Sequence, residues 1–392
     1  MTRDQNRRKP LCVESLEDRT CLNAAVNFSA GDHTLRIVGD KADDVVSIVQ
    51  NDSTDTLTVT VGMNPAIPSQ RPRTFNFQSS AIDRVIVNLG AGNDDFSYQL
   101  VSDAMIYQKR LLVDLGAGDD HARFDFGGPL QASSTEGSSD VNDSNHSASD
   151  ITPPTDPSEG AGLNVTTPQT ILAALREIRT ALKINVKGGA GNDQVEANIG
   201  SVGLQSSLNW VADLGSGDDS SSVVISGQID GIVNGSRTSS GRVTIVQRGG
   251  SGNDQLNVEA GDLSVVVGAK LDVSQSGGQG DDNMSFHYTG MANGLVRGRS
   301  FGGDGQDTIA QRIYWNDGSQ GSLVSNVNGN QGDDQLTNII QPTNSLDTGL
   351  PHALSATGPT SISGKMDGGD GMDSGVISSN VVISNVEAIG LL

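Results

Sequence analysis

A six-residue pattern, Gly-Gly-Xaa-Gly-Xaa-Asp, followed by residues that alternate apolar with polar, returns through this 392-residue chain at a nearly constant interval. It constrains the fold more than any other feature. Full or near-full copies close at Asp94, Asp120, Asp193, Asp219, Asp254, Asp282, Asp307, Asp334 and Asp373, and an eroded copy closes at Asp44. The steps between the closing aspartates from Asp94 onward are 26, 73, 26, 35, 28, 25, 27 and 39 residues, so a period near 26 is the rule.

Apolar side chains on every second residue follow the turns, as a strand with one buried face requires. Examples are Phe96, Tyr98 and Leu100, or Met284, Phe286 and Tyr288. Similar runs precede the turns, such as Val85, Val87 and Leu89, or Leu182, Ile184 and Val186. A turn and its strands recurring as one unit predict a solenoid, because each unit buries its apolar face only against its neighbours. The expected fold is all-β: a parallel β-helix or β-roll solenoid of about 26-residue coils, two or three short strands each, with stacked Gly/Asp turns.

Stacking puts each turn over its equivalent at the strand spacing of about 4.8 Å. Unpaired carboxylates that close repel by a few kcal/mol at an effective dielectric of ~20. Basic side chains near the turns are few, namely Lys187, Arg248 and His121. Calcium suits such a column, because it takes six to eight oxygen ligands in tolerant geometry. Glycines allow positive φ and leave carbonyls unobstructed. The plain alternative is that glycine and aspartate are only good turn formers. Composition weighs against it, since 39 of the 47 acidic residues are aspartate, the short-armed one.

Four copies, Gly188 to Glu196, Gly249 to Asn257, Gly277 to Ser285 and Gly302 to Ala310, resemble the nonapeptide of the RTX, or haemolysin-type, calcium-binding repeat family. The resemblance implies a β-roll around Ca2+. Asp193, Asp254, Asp282 and Asp307 would be side-chain ligands, and Gly189, Gly191, Gly250, Gly252, Gly278, Gly280, Gly303 and Gly305 would give carbonyls. Asp94, Asp120, Asp219, Asp334 and Asp373 extend the set. There are departures. Family repeats run in tandem, whereas here each stands about a coil apart, so a ligand pair comes from consecutive coils. Leucine replaces the first glycine at Leu89, Leu115 and Leu214, Asn330 replaces a second glycine, and Gly375 stands where the buried apolar residue belongs.

The division expected is an export-related or disordered segment at 1–25, first coils at 26–126, a disordered Ser/Asp/Pro-rich insert at 127–167, and one short helix with the remaining coils at 168–392. The helix rests on Thr167 and Pro168 as cap and first turn, with Ile171, Leu172, Leu175 and Ile178 at helical spacing. Val381 to Leu392 reads as a last strand. The basic N-terminal segment, with Leu16-Glu17-Asp18-Arg19 and a following Leu22, resembles the LEPR-XLL type that opens many bacterial exported proteins. Asp18 replaces the usual proline there and Cys21 one leucine. Arg7 and Arg8 echo a twin-arginine signal without its apolar stretch. Cys12 and Cys21 are the only cysteines.

A net charge of -22 excludes nucleic acid as a phosphate-bound partner, and no apolar run is long enough to span a membrane. The expected setting is extracellular or at the cell surface, with calcium ions and a surface or matrix polysaccharide or protein as partners. His33, His121, His146, His287 and His352 lack metal-ligand spacing, and neither a nucleophile elbow nor a phosphate loop is present. A non-catalytic calcium-binding protein is therefore expected. The alternative is a carbohydrate-active β-helix enzyme (lyase, epimerase or hydrolase), with Trp210, Trp315 and Tyr314 as candidate sugar platforms and a cleft holding Arg or Lys beside two carboxylates.

Overall fold

The computed structural model describes residues 24–62, 72–101, 109–127, 180–203, 206–231, 240–343 and 358–391. Two parallel sheets of twelve and thirteen strands stack coil by coil, and no α-helix occurs among the described residues. The chain is a parallel β-solenoid.

Each regular coil has a long strand in the first sheet, the Gly/Asp turn, a shorter strand in the second sheet and a return arc. Lys270–Gln279, then Asn283–Gly290, then Leu295–Asp304 shows one circuit. Alternation decides which side chains face in. In Lys270–Gln279, Leu271 and Val273 are fully buried while Lys270 is exposed. The apolar residues singled out above, from Val85 to Tyr288, line one continuous core between the sheets. Some coils gain a brief third side, where Gln228–Ile229 pairs with Ser264–Val265.

Register survives the irregular steps. Gln194 of Gln194–Ile199 pairs with His121 of His121–Phe126 as neatly as Asn283 pairs with Gln255. The segments 128–179, 232–239 and 344–357, which make the longer steps, come after the second-sheet strand of their coil, 232–239 after the third-side strand Gln228–Ile229, and they lie outside the described residues. Insertions therefore enter on the return side and leave the turn edge regular, as the slow growth of loop-closure cost with length permits. The insert at 127–167 and the helix expected from Thr167 to Arg179 fall almost wholly there, as does the N-terminal segment up to Asn23.

Two differences from the sequence reading concern the ends. The first strands pair antiparallel: Ala25–Ser29 on Thr34–Val38, and Val45–Asn51 on Thr56–Val61, which in turn pairs with Arg73–Gln78. Hairpins thus form the lower end of the stack, where Phe28 and Phe77 of the two outermost strands pack ring to ring at 5.8 Å over the core. The closing segment is two strands, Val381–Ser384 and Ala388–Leu391, one on each sheet. Asn385, at φ 50, lies in the connection between them.

The core also carries a polar ladder that alternation did not announce. Gln247 donates to Ser221, Gln275 to Gln247 Oε1 at 3.0 Å, Ser300 to Gln275 and Gln311 to Ser300, while the single hydroxyl proton of Ser325 lies within reach of both Gln311 Oε1 and Asn338 Oδ1. These residues are all buried at inward positions. Each amide also bonds carbonyls, Gln275 Nε2 reaching Leu256 and Ser285. Gln275→Met keeps the volume but orphans several of these groups, so a loss of at least about 2 kcal/mol in denaturant unfolding is expected.

Candidate metal centre

The turn residues build the site from the backbone outward. At Gly278 and Gly280 φ is +127° and +121°. A Cβ at either would stand 2.1 Å from a carbonyl oxygen of the coil below, Gly250 O or Gly252 O. Glycine is required both by the dihedral and by this close approach. Asn330, which replaces a second glycine, holds φ 78, the left-handed region that asparagine tolerates.

The closing aspartates form an inward column. Asp94, Asp120, Asp193, Asp219, Asp254, Asp282, Asp307, Asp334 and Asp373 are all at most 2% exposed. In each, Oδ1 accepts the backbone N–H of the aspartate one coil earlier, at 2.7 to 3.0 Å, from Asp44 N on Asp94 through Asp334 N on Asp373. Asp373 N closes the series on Glu387 Oε2 at 2.6 Å. The eroded copy is therefore a true member of the column: Asp44 is 1% exposed and begins the relay.

The second carboxylate oxygens behave differently. Oδ2 of all nine aspartates from Asp94 to Asp373 is buried without a hydrogen-bond partner. Asp44 is the informative exception, since its Oδ2 accepts Asp40 N at 3.0 Å and its Oδ1 accepts Ala24 N at 3.1 Å. In five copies that begin with glycine, Oδ2 lies over that first glycine, close to a carbonyl of the following coil. A Cβ at Gly302 would stand 2.0 Å from Asp307 Oδ2 and 2.5 Å from Gly329 O, and Gly188, Gly277, Gly329 and Gly368 show the same pair of oxygens. Two acceptor oxygens facing one another call for a proton or a cation. In the copies that begin with leucine, Leu89, Leu115 and Leu214 are instead fully buried core residues. At Gly375, the missing apolar side chain is replaced by Met366, whose Cε would lie 2.3 Å from an added Cβ.

Burial, opposed by the backbone N–H and reinforced by neighbouring carboxylates, pushes the column upward in pKa. Asp94, Asp193 and Asp282 rise to about 7, and Asp120, Asp254, Asp307 and Asp334 to about 6. Between the ordinary carboxylate value and these, the folded state binds protons that the unfolded chain does not. Without metal ions, stability therefore falls as pH rises from about 4 through about 7, and the penalty is complete above that. Chelated protein is expected to melt higher at pH 5 than at pH 8; an equal or reversed order would contradict uncompensated carboxylates.

A second, outer column escaped the sequence reading. The residue before each closing aspartate runs Asp43, Asn93, Asp119, Asn192, Asp218, Asn253, Asp281, Gln306, Asp333 and, ending the polar series, Met372. From Asp43 to Asp281, each side chain accepts the N–H of its successor, at 2.8 to 3.1 Å. Charged and neutral acceptors alternate strictly, so outer carboxylates stand two coils apart. Repulsion between them drops to about half its adjacent-coil value, about 0.4 against 0.9 kcal/mol in water. The signal was legible at position five of the motif, but only stacking gives it meaning.

Among the described residues no three Asp, Glu, His or Cys side chains gather into one ligand cluster. An ion here would take carboxylates from neighbouring coils and its remaining ligands from carbonyls. The donors at the turns, carboxylate and peptide oxygens, suit a hard cation. Comparison of the chain with protein-family models, curated proteins and solved structures finds no match. The class defined by the geometry is a parallel β-solenoid with a buried aspartate column.

Two of the candidate sugar platforms are corrected by the structure: Trp210 is fully buried and Trp315 is 2% exposed, both packed in the core between the sheets. Tyr314 is on the outward face of Thr308–Trp315 but only 7% exposed, its ring meeting His287 edge-on at 5.6 Å. Arg297 and Arg299 share the single carboxylate of Asp272, and Arg312 stands in register beside His287, which bonds Glu259. Neither group holds the paired carboxylates expected of the enzymatic alternative.

Proposed function

We propose that this chain is a non-catalytic calcium-binding protein of the extracellular space or cell surface, in which ions seated between consecutive Gly/Asp turns consolidate the solenoid. The observation that carries the reading is the run of nine buried aspartate oxygens without a hydrogen-bond partner. Asp193, Asp254, Asp282 and Asp307 would supply carboxylate ligands, with Asp94, Asp120, Asp219, Asp334 and Asp373 extending the column. Carbonyls at Gly189, Gly191, Gly250, Gly252, Gly278, Gly280, Gly303 and Gly305 would complete the shells. The likeness to haemolysin-type repeats supports the same assignment, and outside the cell calcium is abundant enough to fill weak oxygen sites, whose affinities reach ~10⁻⁴–10⁻³ M in extracellular modules.

Equilibrium calcium binding at neutral pH, with magnesium as the competitor, tests it. Several ions per chain are expected, with fewer bound by Asp282→Asn. Absence of binding, together with full stability in chelator, would instead assign the unpartnered oxygens to protonated aspartates that donate along the stack.

A further inference from the structure

The outward face of the first sheet is basic in a chain of net charge -22. Arg84, Arg110 and Lys183 stand in register on three successive coils. Arg242 pairs with Lys270, and Arg297 and Arg299 follow on the next strand. Arg84, Arg110, Lys183, Arg242 and Lys270 are exposed, and none makes an ion pair among the described residues. Like charges directly opposite one another on adjacent strands destabilise a sheet.

Nearer the turns the same face compensates itself. Asp114, Lys187, Asp213 and Arg248 are register neighbours of alternating sign. The cations without an ion pair, Arg84, Arg110, Lys183, Arg242 and Lys270, are confined to a stripe near the beginnings of the strands, several residues away from the aspartate column, whereas Arg297 and Arg299 at its end share Asp272. Two surface depressions lie along this stripe. One, of ≈ 500 Å³, is bounded by Lys109, Arg110 and Lys183 with one carboxylate, Asp83, and the other, of ≈ 140 Å³, by Arg242, Lys270 and Arg297 with one carboxylate, Asp272, so cations outnumber carboxylates three to one in each. Phe301, 39% exposed, is on the strand that carries Arg297 and Arg299, and it presents an aromatic ring on the same face.

We propose that this stripe binds a linear anionic polysaccharide lying along the solenoid axis. Within Arg84, Arg110 and Lys183, and again within Arg242 and Lys270, cations recur at the strand spacing of about 4.8 Å, and one strand bearing Ser207 and Asn209 separates the two groups, so an extended polyanion gains contacts at both without a deep pocket. Phe301 offers a surface for the apolar face of a sugar ring. Duplex nucleic acid fits less well, because its dense phosphates would lie beside the acidic turn edge of a strongly negative protein. The proposal stands apart from the calcium assignment, since none of its cations belongs to the turns, although Phe301 directly precedes Gly302.

The test uses the full chain in millimolar calcium, its fold verified by circular dichroism, with fluorescent sulfated dextran as the probe. Neutral dextran of equal length and a duplex DNA are the controls. Salt-sensitive binding of sulfated dextran alone is expected. Arg110→Glu with Lys183→Glu, and separately Arg242→Glu with Lys270→Glu, should each weaken it about tenfold or more while melting temperature holds. No binding, equal binding of neutral dextran, or retention of affinity by both folded variants overturns the proposal. Equal or tighter binding of duplex DNA also overturns it, by assigning the stripe to nucleic acid. The calcium reading fails on a different measurement, ion binding, so the two outcomes are separable.

Discussion

Returning calcium to chelator-stripped protein at neutral pH is expected to raise its melting temperature steeply and to restore β-structure cooperatively, with magnesium much less effective. Each ion that binds only the native state adds RT ln(1 + [L]/Kd), about 2.7 kcal/mol at a hundredfold excess, so four filled sites contribute on the order of 10 kcal/mol. That is comparable to the whole stability of an ordinary domain. The effect is large because ions would remove two costs at once: the repulsion between carboxylates stacked coil upon coil, and the burial of nine oxygens that lack partners. A melting temperature unchanged after exhaustive chelation, measured by circular dichroism at pH 7.5 to 8, rules out this role for calcium. The pH dependence sharpens the result. Protonation relieves the column below about 6, so calcium should matter most above neutrality and least at pH 5.

Gly278→Val is expected to cost at least about 3 kcal/mol and to prevent folding without calcium, whereas Gly278→Asn should cost clearly less. At this position φ is +127°, and an added Cβ would lie 2.1 Å from Gly250 O in the coil below. A β-branched side chain can neither take that dihedral without strain nor retreat from a backbone carbonyl. The chain provides its own control at Asn330, the equivalent position in another coil, which holds φ 78 and keeps register with both Gly303 and Gly369. Denaturant unfolding of the two variants beside the parent decides it. Equal losses for valine and asparagine would mean that the stacked turn tolerates side chains better than its geometry implies.

Much of this molecule was legible before its structure. The turn glycines, the closing aspartates and the alternation around them are local properties, and a parallel stack is the arrangement that satisfies every coil at once. Even the eroded copy ending at Asp44 was readable. Other features depended on neighbours far along the chain. The antiparallel hairpins from Ala25 to Gln78 carry the same alternation as the coils, so strand direction there was invisible. Trp210 and Trp315 read as surface candidates because a sequence does not show which face of a strand points inward when polar and apolar residues mix. The polar ladder through Gln275 was hidden for the same reason, since each amide is satisfied only by residues in other strands.

By itself the sequence determined the repeating unit, its turn chemistry and the solenoid class, because glycine dihedrals, short carboxylate arms and period-two burial act within a few residues. Only the tertiary structure decided that one oxygen of each of the nine aspartates from Asp94 to Asp373 is consumed by the coil before it while the other is left without a partner, that the outer column alternates in charge, and that scattered basic residues gather in two groups on one sheet face. Those properties arise where residues 25 to 73 positions apart are brought to strand spacing, and no local pattern encodes that distance.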